Sequence, residues 1–320
     1  MYILDLASFL PEKIVDNRQL SELTGRDADF FLRRTGIQER RRATGGENTN
    51  TMAVSAVRAL GSHQREWLAD VDLIIGCSYT SWDLIGTVAH AVQRECGLTR
   101  ARAFTLSSAC SSVANAMEVA AAFFESNRSA RALIVAADHN SLYSDDSDQR
   151  SGHLWGDGAA AMLLSKAALA PVQFEVLDVW TAGLGHVGMG PGGVALRPRD
   201  QGLVMPNGKD VFIQACEGME AAARLLLQRN GLNAGDVRLL VPHQANQRIM
   251  DHVADRLEMQ PGQLASTIAR FGNTGCASAI ITLIEYQAQL AEGELALIVT
   301  FGGGYSSGAA LLRRAANPPG

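Results

Sequence analysis

The chain has 320 residues, 47% of them hydrophobic, 19% charged and 6% aromatic, which excludes a disordered, collagen-like or coiled-coil protein and leaves one large α/β domain or two fused halves. Its 28 Lys and Arg against 33 Asp and Glu give a net charge of −5 with the signs interspersed, so bulk electrostatics invite neither nucleic acid nor an anionic membrane. The 5 cysteines form no C-x-x-C pair and have no histidine at zinc-ligand spacing, which argues against disulfides and a metal site, and without a signal-like N-terminus or an apolar run of spanning length the expected location is cytoplasmic.

In chain order, helical periodicity predicts Met52–Leu60 and Thr87–Cys96 as amphipathic helices flanking a buried strand at Leu73–Gly76. Ala103–Leu106 is strand-like, Ser111–Phe124 is an Ala-rich helix, and Leu133–Ala137 and Ala159–Leu164 are strands by their β-branched content and bounding Gly and Asp. Ser141–His153 reads as a surface loop, in which Asp145, Asp146 and Asp148 are either solvated or a cation site. Gly- and Pro-rich Thr181–Pro206 also reads as loop. The second half then predicts helix at Val211–Asn230, strand at Leu239–Val241, helices at Gln247–Leu257 and Ala277–Leu290, and strands at Leu295–Thr300 and Gly308–Leu312.

The chain repeats itself at half its length. Asp70-Val-Asp-Leu-Ile-Ile-Gly-Cys-Ser returns as Asp236-Val-Arg-Leu-Leu-Val-Pro-His-Gln, and the same displacement carries Ser-Ala-Cys110-Ser-Ser onto Thr-Gly-Cys276-Ala-Ser. Ala132-Leu-Ile-Val likewise pairs with Ala296-Leu-Ile-Val. Strands alternating with helices imply mostly parallel sheets covered by helices. The expected plan is two homologous halves, 1–170 and 171–320, whose sheets face each other across shared helices.

Two generic motifs fail on context. Gly183-Leu-Gly-His-Val-Gly188 fits G-x-G-x-x-G, but further glycines follow where a dinucleotide fold needs a helix. Gly304-Tyr-Ser-Ser-Gly308 fits G-x-S-x-G, yet no histidine follows it. Cys110 stands between a strand end and a helix N-terminus, where the macrodipole is expected to lower a thiol's pKa; the alternative is a small buried cysteine. The repeat brings His243 and Asn273 to the corresponding ends of the second half, alternatives being a core histidine and a helix cap. Cys, His and Asn together make a donor-rich thiolate site, and Gly302-Gly303-Gly304 can bring a bare backbone N–H to it.

At these residues the sequence resembles β-ketoacyl-acyl-carrier-protein synthase III, within the thiolase-like condensing enzymes. The resemblance rests on Arg34-Thr-Gly-Ile-Gln-Glu-Arg40, Ser-Ala-Cys110-Ser, Gly156-Asp-Gly-Ala, Pro242-His-Gln-Ala-Asn-Gln-Arg-Ile249, Gly272-Asn-Thr-Gly and Gly302-Gly-Gly-Tyr-Ser-Ser-Gly-Ala-Ala-Leu, spread over nearly the whole chain. It implies a five-layered αβαβα sandwich, a homodimer, and a triad of Cys110, His243 and Asn273. It further implies acylation of Cys110 by acyl-CoA with an oxyanion hole from the N–H groups of Cys110 and Gly303, then decarboxylative condensation with malonyl-CoA or a malonyl-carrier protein. No cofactor is implied beyond these thioesters.

The resemblance also places Arg34, Phe30, Arg150 and Arg248 at the coenzyme A entrance. Ile85 stands where a bulky residue of the partner subunit often closes the acyl pocket, and His90, Trp155 and Cys276 are atypical, which implies a specialised primer. Asp251, Asp255 and Glu258 outnumber Arg248 and Arg256, and Ile213 replaces a commonly basic residue, so the docking surface for an acidic carrier is expected to be weak. The competing readings are an acyltransferase of the same fold that uses an alcohol, amine or thiol acceptor, and a non-catalytic subunit of a heteromeric synthase.

Overall fold

Runs such as Leu73-Ile-Ile-Gly-Cys and Ala132-Leu-Ile-Val are apolar at every position, which suits strands covered on both faces. The computed structural model describes residues 1–61, 65–169 and 172–316, and the expected boundary at 170/171 lies outside the described residues. The chain begins with β1 (Tyr2–Phe9), β2 (Lys13–Asp16), α1 (Asn17–Thr24), α2 (Ala28–Thr35), β3 (Glu39–Arg42), α3 (Thr49–Arg58) and α4 (Arg65–Ala69). Next come β4 (Leu73–Cys77), α5 (Val88–Glu95), β5 (Arg102–Leu106), α6 (Ser112–Glu125), β6 (Arg131–His139) and β7 (Asp157–Ser165). Then follow β8 (Phe174–Gly183), β9 (Ala195–Arg197), β10 (Gly202–Val204), α7 (Gly208–Arg229), β11 (Val237–Pro242) and α8 (Gln247–Arg256). The last elements are α9 (Ile268–Phe271), α10 (Ser278–Tyr286), β12 (Leu295–Gly302) and β13 (Ser306–Arg314).

Among the described residues the main sheet has 9 strands in the order β11-β12-β13-β8-β1-β7-β6-β4-β5. It contains one plan twice. In one half β4 runs parallel to β5 and β6, with β7 antiparallel to β6 and β1 antiparallel to β7. In the other β11 is parallel to β12, β13 is antiparallel to β12 and β8 to β13, and a bridge from Leu240 to Leu264 stands where β5 would be. The half-sheets are joined through the pairs Tyr2↔Glu175 and Ile3↔Phe174.

Helices α6 and α10 lie between the half-sheets. Their Ala116, Met117, Ala120, Ala279, Ile280 and Leu283 share one core with Ile134 and Met162 on one side and Ile298 and Leu312 on the other. Alanines keep α6 narrow enough to pack against both neighbours at interior density. Helices α3 and α5 cover the outer face of the first half-sheet, and α7 and α8 that of the second. The architecture is the thiolase-like five-layered αβαβα sandwich. No helix among the described residues is long and apolar enough to cross a membrane.

The structure departs from three expectations. The sheets are not mostly parallel, because β7 and β13 return without the helical crossover that parallel pairing requires, and β1 and β8 add further antiparallel pairs. Thr181–Pro206 is not all loop: β8 runs to Gly183, and β9 and β10 form a short ribbon whose Leu196 and Leu203 pack near Trp155. Ser141–His153 is only partly a surface loop. Asp146 pairs with Arg42, Asp145 and Asp148 cap their own turns, and Ser151 and His153 are buried.

Candidate active site

Between β5 and α6 the chain makes a sharp turn at Ala109, whose φ of 50° lies in the left-handed region that costs a residue with a Cβ about 1 kcal/mol or more. The turn brings half-buried Cys110 to the wall of a cavity of about 210 Å³. The end of β12 closes on the same turn. A Cβ at Gly302 would lie 2.2 Å from the Ser108 carbonyl oxygen, so only glycine permits this approach. The N–H groups of Gly303 and of Cys110 itself face the Cys110 sulfur.

His243 and Asn273 line the same cavity. His243 follows β11 and is pinned by its N–H to the Val299 carbonyl at 2.8 Å. Its Nδ1 is 2.7 Å from Ser278 Oγ, an oxygen that also accepts from the Gln244 N–H at 3.2 Å. The Ser278 contact engages Nδ1 and leaves Nε2 without a protein partner among the described residues; when the serine proton lies on this bond the ring proton is on Nε2, which can then donate into the cavity. Asn273 Oδ1 accepts from the Gly275 N–H at 3.0 Å, which leaves Nδ2 as its available donor. The capping and site readings of Asn273 are therefore compatible.

Asn273 is held through its backbone. It donates to the Leu154 carbonyl at 2.8 Å and accepts from the Gly156 N–H at 2.9 Å. The segment it bridges is clamped from beneath by fully buried Arg40, which donates to the His153 carbonyl at 2.9 Å, and by Arg42, which donates to that of Trp155. Trp155 itself is buried against the cavity.

The electrostatics correct one expectation. Burial pushes the Cys110 thiol up to about 12, and the Asp138 charge adds to this; the Tyr79 hydroxyl and the two N–H groups offset only part. The macrodipole is outweighed because the sulfur sits in an apolar cavity near a buried carboxylate. Asp138 accepts from Thr80 Oγ1 at 2.7 Å and from the Cys276 N–H at 2.8 Å. Cys276 occupies the place in the second half that Cys110 has in the first, but it is buried and its Sγ donates to the Cys77 carbonyl at 3.1 Å.

Burial lowers His243 to about 4, so its imidazole is neutral at pH 7. Burial, with Arg40 and Arg34 nearby, also lowers His153 to about 4. A histidine whose folded pKa lies below its unfolded 6.5 binds more protons when unfolded, so its contribution is complete above pH 6.5 and is lost as pH falls toward 4. Each histidine is expected to cost about 2–3 kcal/mol of stability at pH 4.5 relative to pH 7. Urea unfolding at both pH values, in wild type and His153→Leu, checks this: the variant should lose one histidine's share of the pH dependence, and an unchanged dependence would exclude His153 as a source.

A wider opening adjoins the cavity. Arg34, Arg150, Arg248 and His153 line one part of it, and Arg26, Phe30, Arg34, Arg150 and Lys209 the next. Arg26 and Arg34 lie 5.2 and 5.7 Å from the Phe30 ring centre. Beyond this mouth, the exposed side of α8 carries Asp251 and Asp255, and Arg256 is paired with Glu220 at 3.2 Å. Ile85 is not brought to the site of its own chain. It is 90% exposed on the loop 81–86, because Asp83 Oδ1 accepts from the Ile85 and Gly86 N–H groups and holds the turn outward. His90 is exposed on α5, away from the cavity.

The sequence reasoning missed Tyr79, Asp138, His153, Lys209 and Ser278. Asp138 had a signal: a lone carboxylate ends the apolar run Ala132–Ala137. Ser278 had none, since a serine at the start of a helix is ordinary.

Residues 104–181 match the family described as 3-oxoacyl-[acyl-carrier-protein (ACP)] synthase III, and residues 227–314 match its C-terminal part. The chain is 31% identical over 313 residues to the β-ketoacyl-[acyl-carrier-protein] synthase III of Bacillus pumilus, covering 97% of this chain and 98% of that one. Among solved structures it is similar to the synthase III of Thermus thermophilus, with a TM-score of 0.91 and 29% identity over 99% of this chain and 100% of that one. It is also similar to the priming β-ketosynthase from the R1128 polyketide biosynthetic pathway, with a TM-score of 0.89 and 29% identity over 99% and 97% of the two chains. A duplicated αβαβα sandwich, matched end to end at this identity, places the chain in the β-ketoacyl-[acyl-carrier-protein] synthase III family of condensing acyltransferases.

Proposed function

We propose that the protein transfers an acyl group from acyl-CoA to Cys110 and then condenses it with a malonyl-type thioester, with loss of CO₂, as a starter-unit step. The observation that carries this reading is the meeting of Cys110, His243, Asn273 and the Gly303 N–H around one apolar cavity. In the first half-reaction the Cys110 sulfur attacks the thioester carbonyl. The oxyanion is held by the N–H groups of Cys110 and Gly303, the C–S bond to coenzyme A breaks, and the thiol proton ends on the coenzyme A sulfur.

In the second, the extender's thioester carbonyl takes hydrogen bonds from His243 Nε2 and Asn273 Nδ2. CO₂ leaves, the enolate carbon attacks the acyl-Cys110 carbonyl, and the Cys110 thiolate departs and is reprotonated. Two preorganised donors act where negative charge develops, each worth ~3 kcal/mol of barrier. Covalent catalysis divides one condensation into two easier steps.

Phe30, Arg34, Arg150 and Arg248 hold the adenine and phosphates of coenzyme A at the mouth, joined by Arg26 and Lys209. The exposed acidic groups on α8 disfavour an acidic carrier, so the second half-reaction should show only a shallow salt dependence. The protein acts as a homodimer in which the loop bearing Trp82, Leu84 and Ile85, exposed at 54%, 86% and 90%, enters the partner's cavity. The apolar cavity and the likeness to a structure named as a priming ketosynthase support the starter-unit assignment.

Transfer to an alcohol, amine or thiol acceptor is the second reading, and the available Asn273 donor favours condensation over it. Incubation with a panel of acyl-CoA thioesters, followed by mass measurement of the Cys110 peptide, tests the proposal. An adduct that malonyl thioester discharges is expected; discharge by a hydroxyl or amino acceptor alone would support transfer instead, and no adduct from any primer would overturn both.

A further inference from the structure

The segment between β8 and α7 supplies Pro191, Val194, Leu196, Leu203 and Met205 to the cavity that Cys110 faces. Apart from the β9–β10 ribbon and one turn at Gly190–Gly192, it has little regular structure. Something outside it must hold it in place.

One tie is made by Tyr305, two residues beyond Gly303. Its side chain is 2% exposed, and its hydroxyl donates to Asp210 Oδ2 at 2.6 Å. Asp210, in the first turn of α7, also accepts from the Met189 N–H at 2.9 Å through the same oxygen. The Tyr305 carbonyl accepts from the Leu184 N–H at 2.8 Å. The segment's main chain then runs directly against the phenol, since a Cβ at Gly193 would lie 2.1 Å from the Tyr305 hydroxyl oxygen. The next residue, Val194, packs on Gly303, where an added Cβ would meet it at 3.1 Å. At the far end the Leu203 N–H donates to the Tyr143 carbonyl at 2.7 Å. A phenol-to-carboxylate bond is charge-assisted and directional, so it fixes this stretch more firmly than backbone contacts alone.

We propose that the Tyr305–Asp210 hydrogen bond is a specificity-determining latch, which holds Pro191–Val194 against the Gly303 turn and so sets which primer lengths Cys110 accepts. Tyr305 and Asp210 act as positioning residues. The inference rests on acylation of Cys110 as proposed above.

Tyr305→Phe removes only the hydroxyl, and Asp210→Asn keeps the size of the acceptor while removing its charge. Initial rates of Cys110 acylation are read by peptide mass across straight-chain acyl-CoA primers, with melting temperatures measured in parallel. In both variants the rate for the longest primer that wild type loads should rise about tenfold relative to the shortest, on the scale of one methylene's discrimination. A uniform fall across all lengths with an unchanged profile would show Tyr305 to be merely structural and overturn the latch. Should Tyr305→Phe fail to fold, Asp210→Asn decides by the same profile. A wild-type protein that takes no acyl group from any primer overturns the acylation itself and the latch with it, whereas a normal wild-type adduct with unchanged variant profiles overturns the latch alone.

Discussion

Cys110→Ala abolishes the acyl adduct, lowering acyl transfer from acyl-CoA by at least about 10³-fold while leaving the fold intact. The expectation follows from position. The sulfur stands beside two backbone N–H groups that face it, at a turn that a left-handed Ala109 and a close approach allowed only by Gly302 hold in place. Cys77, Cys216 and Cys276 are buried away from the cavity opening, and Cys96 lies on the outer side of the first half-sheet, so none can replace it. A thiol held near 12 also predicts that the acylation rate keeps rising with pH from 6 to 9, about tenfold per unit, with no plateau near neutrality. Stopped-flow acylation with mass readout of the Cys110 peptide checks both. A plateau near neutrality would contradict a thiol raised by burial.

Asn273→Ala leaves loading of Cys110 within a few-fold of wild type but slows decarboxylation and condensation by about 10²-fold or more. His243→Ala does the same, and the double variant loses less than the product of the two, because both donors serve one oxyanion. The separation of the half-reactions is the informative part. The Gly275 N–H on Oδ1 and the Ser278 hydroxyl beside Nδ1 orient these side chains so that Asn273 Nδ2 and His243 Nε2 are the atoms left to meet the extender. Loading and CO₂ release measured separately on each variant test this. Equal loss in both half-reactions would instead assign the pair to shaping the cavity.

The duplication made much of this legible before any coordinates. Asp70–Ser78 and Asp236–Gln244 repeat closely enough to align Cys110 with Cys276 and to send His243 and Asn273 to the ends of corresponding elements, and the structure places Cys110, His243 and Asn273 on one cavity. The strands at β4, β6, β7, β11, β12 and β13 are legible for a simpler reason: their apolar runs are short and bounded by Gly or polar residues, which favours strand over a buried helix. Strands β1 and β8 are not, because mixed residues such as Asp5, Asp178 and Trp180 interrupt their pattern, and their pairing joins segments far apart in the chain. The small elements of residues 13–42 escape for a related reason: four-residue strands lack a period to detect.

Within the site, identity is legible and environment is not. The helix-terminus argument for a lowered Cys110 pKa fails because burial in the apolar cavity, and after it the charge of Asp138 on another strand, oppose it, neither visible along the chain. Ile85, read as a contribution to a partner's pocket, is 90% exposed on a single chain.

The most direct test of the account is a single turnover of acyl-loaded protein with malonyl thioester, following the Cys110 adduct, CO₂ and β-ketoacyl product together. Decarboxylative condensation predicts that one CO₂ and one β-ketoacyl thioester appear for each acyl group lost from Cys110. Loss of the acyl group without CO₂, or CO₂ release that leaves the adduct in place, would contradict it.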